Sequence, residues 1–114
     1  MYYSKMSNNL KFEMIRLGLE DLCKLISPHR KTREKARELI LFLREGPMTK
    51  QEIKNELDLS EMQFKSLVKK MREIGLLTGR KTGDSYKYYL SYEGFNMWLK
   101  MLRDTVYNLL KRRD

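Results

Sequence analysis

The stretch MTKQEIKNELDLSEMQF, residues 48–64, carries the same helix-starting device twice, at Thr49 and at Ser60. A Thr or Ser three residues ahead of a Glu or Gln satisfies two backbone N–H groups that a helix leaves unpaired at its start. The hydroxyl accepts from the third helical residue, whose side chain reaches back to the cap's own N–H. Thr49 with Glu52 and Ser60 with Gln63 fit this pattern. Met48 with Ile53, and Leu59 with Phe64, bracket them as hydrophobic staples. The first helix then runs only from Lys50 to about Leu57, and Asp58-Leu59-Ser60 is left as a three-residue turn before a second helix that continues to Ile74. Two short helices joined so tightly must cross at a steep angle, as in a helix-turn-helix.

The second helix is two-faced. Phe64, Leu67, Val68 and Met71 recur at three- and four-residue steps and define a core stripe. Glu61, Gln63, Lys65, Ser66, Lys69, Lys70 and Arg72 are thereby turned outward or to the flanks, as a basic, hydrogen-bonding surface on a rigid element.

Gly75 stops that helix, and LLTGRKTGDSYKYYLS, residues 76–91, reads as a β-hairpin. One strand is expected from Leu76 to about Gly79 and the other over Tyr86 to Leu90, with a tip of Arg80 to Ser85 that turns at Gly83-Asp84. Alternation puts Tyr86, Tyr88 and Leu90 on one face and Lys87 and Tyr89 on the other.

Upstream, an apolar stripe from Leu10 through Met14, Leu17, Cys23 and Ile26 predicts a helix over residues 7–26, widened by Phe12, Ile15, Leu19, Leu22 and Leu25 and ended by Ser27-Pro28. A second helix, opened by the basic run HRKTREKAR, turns Ala36, Leu39, Ile40 and Leu43 inward and closes at Gly46-Pro47. Downstream, Ser91 is placed to cap a long helix over residues 92–112. On it Phe95, Trp98, Leu102, Val106 and Leu109 form an apolar seam, with Leu99 beside them. A seam of that length packs either on the chain's own first helix or on a second copy.

The 114 residues suit one domain, with 41% hydrophobic and 34% charged residues. Lys and Arg number 24 against 15 Asp and Glu, a net charge of +9 that points to a polyanionic partner. No apolar run approaches a membrane span and the first residues lack a signal-peptide pattern, so no membrane association and a cytoplasmic location are expected. The single Cys23 excludes an internal disulfide and a cysteine-cluster metal site, and it reads as a small buried hydrophobe. His29 is the only histidine. With no Gly-rich phosphate loop, paired-carboxylate constellation or Cys/His cluster, neither a cofactor nor an enzymatic activity is expected, and any small-molecule effector is unknown.

The run from Glu56 to Phe95 resembles the winged helix-turn-helix of bacterial and archaeal transcription regulators such as the MarR, ArsR and PadR groups. It is similar in its capped helix over 60–74, its Gly75-Leu76-Leu77 exit, its basic Gly-containing wing at Arg80 to Asp84, and YYLSYEG at residues 88–94. The resemblance covers roughly residues 33–100. It implies a mainly α fold with a small β-hairpin: a winged-helix core over 33–91 between an N-terminal helix and a long C-terminal one.

The resemblance also implies a double-stranded DNA partner, with helix 60–74 in the major groove and the wing, residues 79–87, on the backbone or minor groove. Gln63, Ser66 and Lys70 are then candidates for base edges, with Ser60 at the helix start and Glu61, Lys65 and Lys69 within reach of bases or phosphates. Arg80, Lys81, Thr82 and Lys87 match the wing, and Lys50 with Gln51 match a first-helix start that contacts phosphate. Terminal helices of such regulators pair across a two-fold axis, so Phe95, Trp98, Leu99, Leu102, Val106 and Leu109 are expected to form a homodimer interface. The expected function is sequence-specific transcriptional regulation. The alternatives are an architectural or plasmid/virus maintenance protein with weak sequence preference, and a protein-contact module.

Overall fold

In the computed structural model, which describes residues 17–111, the chain forms five helices and a three-stranded sheet. These are α1 (Leu19–Ile26), α2 (Arg30–Leu43), β1 (Met48–Thr49), α3 (Lys50–Leu57), α4 (Glu61–Glu73), β2 (Leu77–Thr82), β3 (Ser85–Leu90) and α5 (Tyr92–Lys111).

Both helix starts in residues 48–64 are built as their spacing demands. Thr49 Oγ1 accepts from the Glu52 N–H at 3.1 Å while Glu52 Oε1 accepts from the Thr49 N–H at 2.8 Å. Ser60 Oγ accepts from the Gln63 N–H at 3.1 Å, and Gln63 Oε1 from the Ser60 N–H at 2.9 Å. Between them Asp58 adopts the left-handed conformation, φ 54°, which Asp tolerates better than most residues. The Leu59 N–H then closes on the Lys54 carbonyl at 3.1 Å.

The core gathers one face of each of α1 to α4. Cys23 and Ile26, Ala36, Leu39, Ile40 and Leu43, Ile53 and Leu57, and Phe64, Leu67, Val68 and Met71 are all buried, joined by Leu59, Ile74, Leu76 and Leu77. These are the inward positions that helical spacing assigns to α2 and α4. Leu59 and Phe64 of the second staple both lie in this core, and so does Ile53 of the first, with Met48 packed against it.

Three features differ from the reading of the sequence. Of the helix expected over 7–26, residues 7–16 lie outside the described residues, and the described part begins only at Leu19. Gly18 is extended, and its N–H is held by Asp21 Oδ2 at 2.9 Å, which makes it the N-cap of α1 rather than an interior helical residue. Leu17, 80% exposed, and Leu25 therefore do not belong to the buried stripe.

The second difference is in the sheet. The wing strands are longer and its tip shorter than expected: β2 and β3 pair from Leu77↔Leu90 to Thr82↔Ser85, leaving only Gly83-Asp84 as the turn. Gly83 supplies the positive φ, 63°, that so tight a hairpin needs. Arg80, Lys81 and Thr82 are accordingly strand residues. A third strand, β1, joins the edge of β3 through Met48↔Tyr88 and Thr49↔Lys87, in sheet order β1-β3-β2. Two residues are too few to show alternation.

The third concerns α5. Ser91 Oγ accepts from the Gly94 N–H at 2.9 Å and caps the helix as expected. None of its 20 residues is buried. Phe95 and Trp98, stacked with ring centroids 5.8 Å apart, pack against the core of their own chain. Among the described residues nothing covers the rest of the seam, and the molecule measures 59 × 29 × 24 Å.

Candidate nucleic-acid interface

The outward side of α4 separates into two borders. Lys65, Lys69 and Arg72 edge an open cleft of about 500 Å³ toward the hairpin, floored by Phe64 and Tyr88 with Lys50 at its rim. Ser60, Gln63 and Ser66 edge a second cleft of about 730 Å³, whose opposite wall is α2 at Lys31 and Lys35. Gln63 and Ser66, two of the residues expected to read bases, thus line a different cleft from Lys65 and Lys69, and the third, Lys70, lines neither. A period of 3.6 residues sends Gln63 and Ser66 to one flank and Lys65 and Arg72 to the other.

The hairpin is held against α4 by aromatic contacts. Tyr88 meets Phe64 edge to face at 5.5 Å between centroids, and Tyr86 meets Tyr88 at 5.2 Å. Arg72 donates to the Tyr86 hydroxyl at 2.7 Å and lies 5.6 Å over the Tyr88 ring. Gly79 makes room for this: a Cβ there would run into the Tyr86 ring. Arg72 is therefore occupied in fixing the angle between helix and wing.

On the opposite face, Arg80 donates to the Tyr89 hydroxyl at 3.2 Å and stacks 5.1 Å from its ring centroid. Arg80 pairs across the strands with Lys87, placing two cations side by side. Like charges directly opposite one another destabilise a sheet. Lys81 and Thr82, both exposed, follow toward the turn.

Glu61 behaves differently from the other candidates. Its carboxylate receives Lys50 Nζ at 2.5 Å and Lys54 Nζ at 2.8 Å, with Lys65 Nζ at 3.9 Å. The hydrogen bonds from Lys50 and Lys54 hold its carboxyl down to about 2, far below the ordinary carboxylate range. Glu61 is thus a brace that ties α3 to the first turn of α4 and gathers three lysines around one anion. Lys54, absent from the expected site, belongs to this cluster; its separation of seven residues from Glu61, across a turn, gives no signal in sequence. Gln51 is engaged locally, donating to Asn55 Oδ1 at 2.9 Å.

Cys23 is buried, and burial, with the nearby charge of Glu20, pushes its thiol pKa upward, which disfavours the reactive thiolate. Among the described residues no group of three or more His, Cys, Asp or Glu is placed to hold a metal ion, and no helix is long and apolar enough to cross a membrane.

A capped two-helix unit whose second helix is backed by a three-stranded sheet with a projecting hairpin is the winged helix-turn-helix fold, here extended by a long terminal helix. Solved structures agree. The transcriptional repressor BigR from Xylella fastidiosa superimposes with a TM-score of 0.54 at 13% identity, over 98% of this chain and 96% of that one. The transcriptional regulator HlyU from Vibrio vulnificus gives 0.51 at 23% identity, over 92% and 98%. A hypothetical protein of Pyrobaculum spherical virus gives 0.52 at 22% identity over 73% of this chain, which spans only 54% of the viral one. At these identities the likeness is one of fold. No protein-family model matches the chain, and no curated protein does.

Proposed function

We propose that the protein is a double-stranded DNA-binding transcriptional regulator, without enzymatic activity, that acts as a homodimer. Helix α4 enters the major groove, and the wing lies along the adjacent backbone or minor groove. The observation that carries this reading is the basic border of α4. Lys65 and Lys69 face outward next to Lys50, and the hairpin that supplies Lys81, Arg80 and Lys87 is locked to the same helix through Arg72, Tyr86 and Tyr88. Such a surface has fixed geometry and positive charge, the two requirements for holding a duplex backbone in register. The similarity to the repressor BigR and the regulator HlyU supports the regulatory role.

The homodimer is supported by α5. Leu99, Leu102, Val106 and Leu109 are exposed along one stripe that continues from Phe95 and Trp98. Uncovered apolar seams at this spacing are satisfied by a second helix.

A second reading, architectural binding with little sequence preference, is favoured by one observation: Gln63 Oε1 and the Glu61 carboxylate are already taken, which leaves mainly lysines at the surface. Two variants decide between the readings through a binding matrix over all single-base changes of a selected duplex. Ser66→Ala is expected to alter preference at one position per half-site, with a loss of roughly 1 to 3 kcal/mol on the best site. Lys69→Ala should weaken all sequences alike. Uniform weakening by both would replace the regulator with the architectural protein.

A further inference from the structure

Met62 lines the second cleft of α4, beside Ser60, Gln63 and Ser66. With Ser66, Lys69 and Glu73 it falls at steps of four, three and four residues, the stripe diametrically opposite the buried Phe64, Leu67 and Met71. It is the outermost residue of the first turn and 80% exposed. Among the described residues it is not a member of the hydrophobic core. Lone exposed apolar side chains are ordinary on protein surfaces, but this one stands on the outward stripe of α4 among the hydrogen-bonding side chains of that cleft, with the cleft edged by Lys65 and Lys69 on the other side of the stripe.

We propose that Met62 is a specificity-determining residue that recognises the 5-methyl group of thymine. The inference rests on the reading of α4 as the helix that faces base edges, and it adds what the polar candidates do not supply. First-turn residues of a major-groove helix are the ones that reach bases. A thioether side chain has no donor and only a weak acceptor, so it gains nothing from the amino, carbonyl or ring-nitrogen edges of the bases. The single apolar group displayed in the major groove is the thymine methyl. Met is long and unbranched enough to lie against that methyl from a helix axis held back by Lys65 and Lys69 on neighbouring phosphates. Removing the methyl from such a contact costs about fourfold in affinity.

The test is a pair of selections from random duplex pools, one synthesised with thymidine and one with deoxyuridine, which differ only by that methyl. The wild-type protein is expected to enrich a motif with an invariant thymine in each half-site from the first pool. From the second it should lose preference at that position alone. The exposed Met62→Ala variant, which retains a good helix former, should give the same motif from both pools, with that position degenerate. Equal enrichment of thymine and uracil by the wild type, or a motif without thymine, overturns the role of Met62 and leaves DNA binding intact. Failure to retain either pool overturns the DNA-binding reading itself.

Discussion

Gly75 and Gly94 meet backbone to backbone: a Cβ added to either would collide with the other's carbonyl oxygen. Gly75 ends α4 with φ 74° and Gly94 lies in the first turn of α5, so this approach sets how the long helix leaves the body of the protein. The expected consequence is that Gly94→Ala destabilises the fold by about 1 to 3 kcal/mol through overpacking, although Ala is the better helix former by roughly 1 kcal/mol. Gly83→Ala, in open space at φ 63°, should lose about 1 kcal/mol from backbone strain alone. Urea unfolding of the two variants measures both. A Gly94→Ala protein as stable as the wild type would mean that the approach is not tight.

The brace at Glu61 has a pH signature. Its folded pKa, about 2, lies below the ordinary value of 4.5, so the stabilisation is fully present above pH 4.5 and is lost as pH falls toward 2. Melting temperatures of the wild type and Glu61→Gln should therefore differ most at neutral pH and converge near pH 2. A difference that is constant with pH would show that Glu61 contributes through packing rather than charge.

Whether the wing touches the duplex can be read from the salt dependence of binding. Arg80→Ala with Lys81→Ala should weaken duplex binding and lower the log–log salt slope by about 0.9 for each phosphate no longer neutralised. Glu61→Gln should act in the opposite direction, by releasing Lys50 and Lys54 to the duplex. An unchanged slope in the double variant would remove the wing from the interface and favour a protein-contact role.

The local chemistry of this chain is legible in its sequence and its tertiary chemistry is not. Thr49 with Glu52 and Ser60 with Gln63 are partners three residues apart, so the helix-turn-helix can be read directly from spacing. The core stripe of α4 is equally plain because it repeats over two turns. Joining β1 to β3 depends on Thr49 meeting Lys87 across nearly forty positions, and a two-residue strand has no pattern of its own. The Glu61 brace depends on a turn bringing Lys50 and Lys54 to one carboxylate. Phe95 and Trp98 fall on the same stripe as Leu102 and Val106; periodicity alone does not reveal that the first two pack on their own core while the last two stay exposed. Met62 gives no signal of its own, because an apolar residue on an outward stripe breaks the helix pattern without announcing a purpose.

Leu102 tests the dimer. Placing Asp in the exposed seam would put an unpaired charge into an apolar interface, so Leu102→Asp should yield monomers that keep their helix content, as read by sedimentation and circular dichroism. The wild type should sediment as a dimer at micromolar concentration. A monomer at ~100 μM, well above a micromolar dissociation constant, would end the dimer reading.

The most direct measurement is selection of genomic duplex fragments by the wild-type protein, followed by inspection of the recovered sites for symmetry. A dimer presenting two copies of α4 predicts inverted repeats whose half-site centres lie about one helical turn, or a multiple of it, apart. Recovery of fragments with no shared, symmetric sequence would contradict sequence-specific regulation by a homodimer.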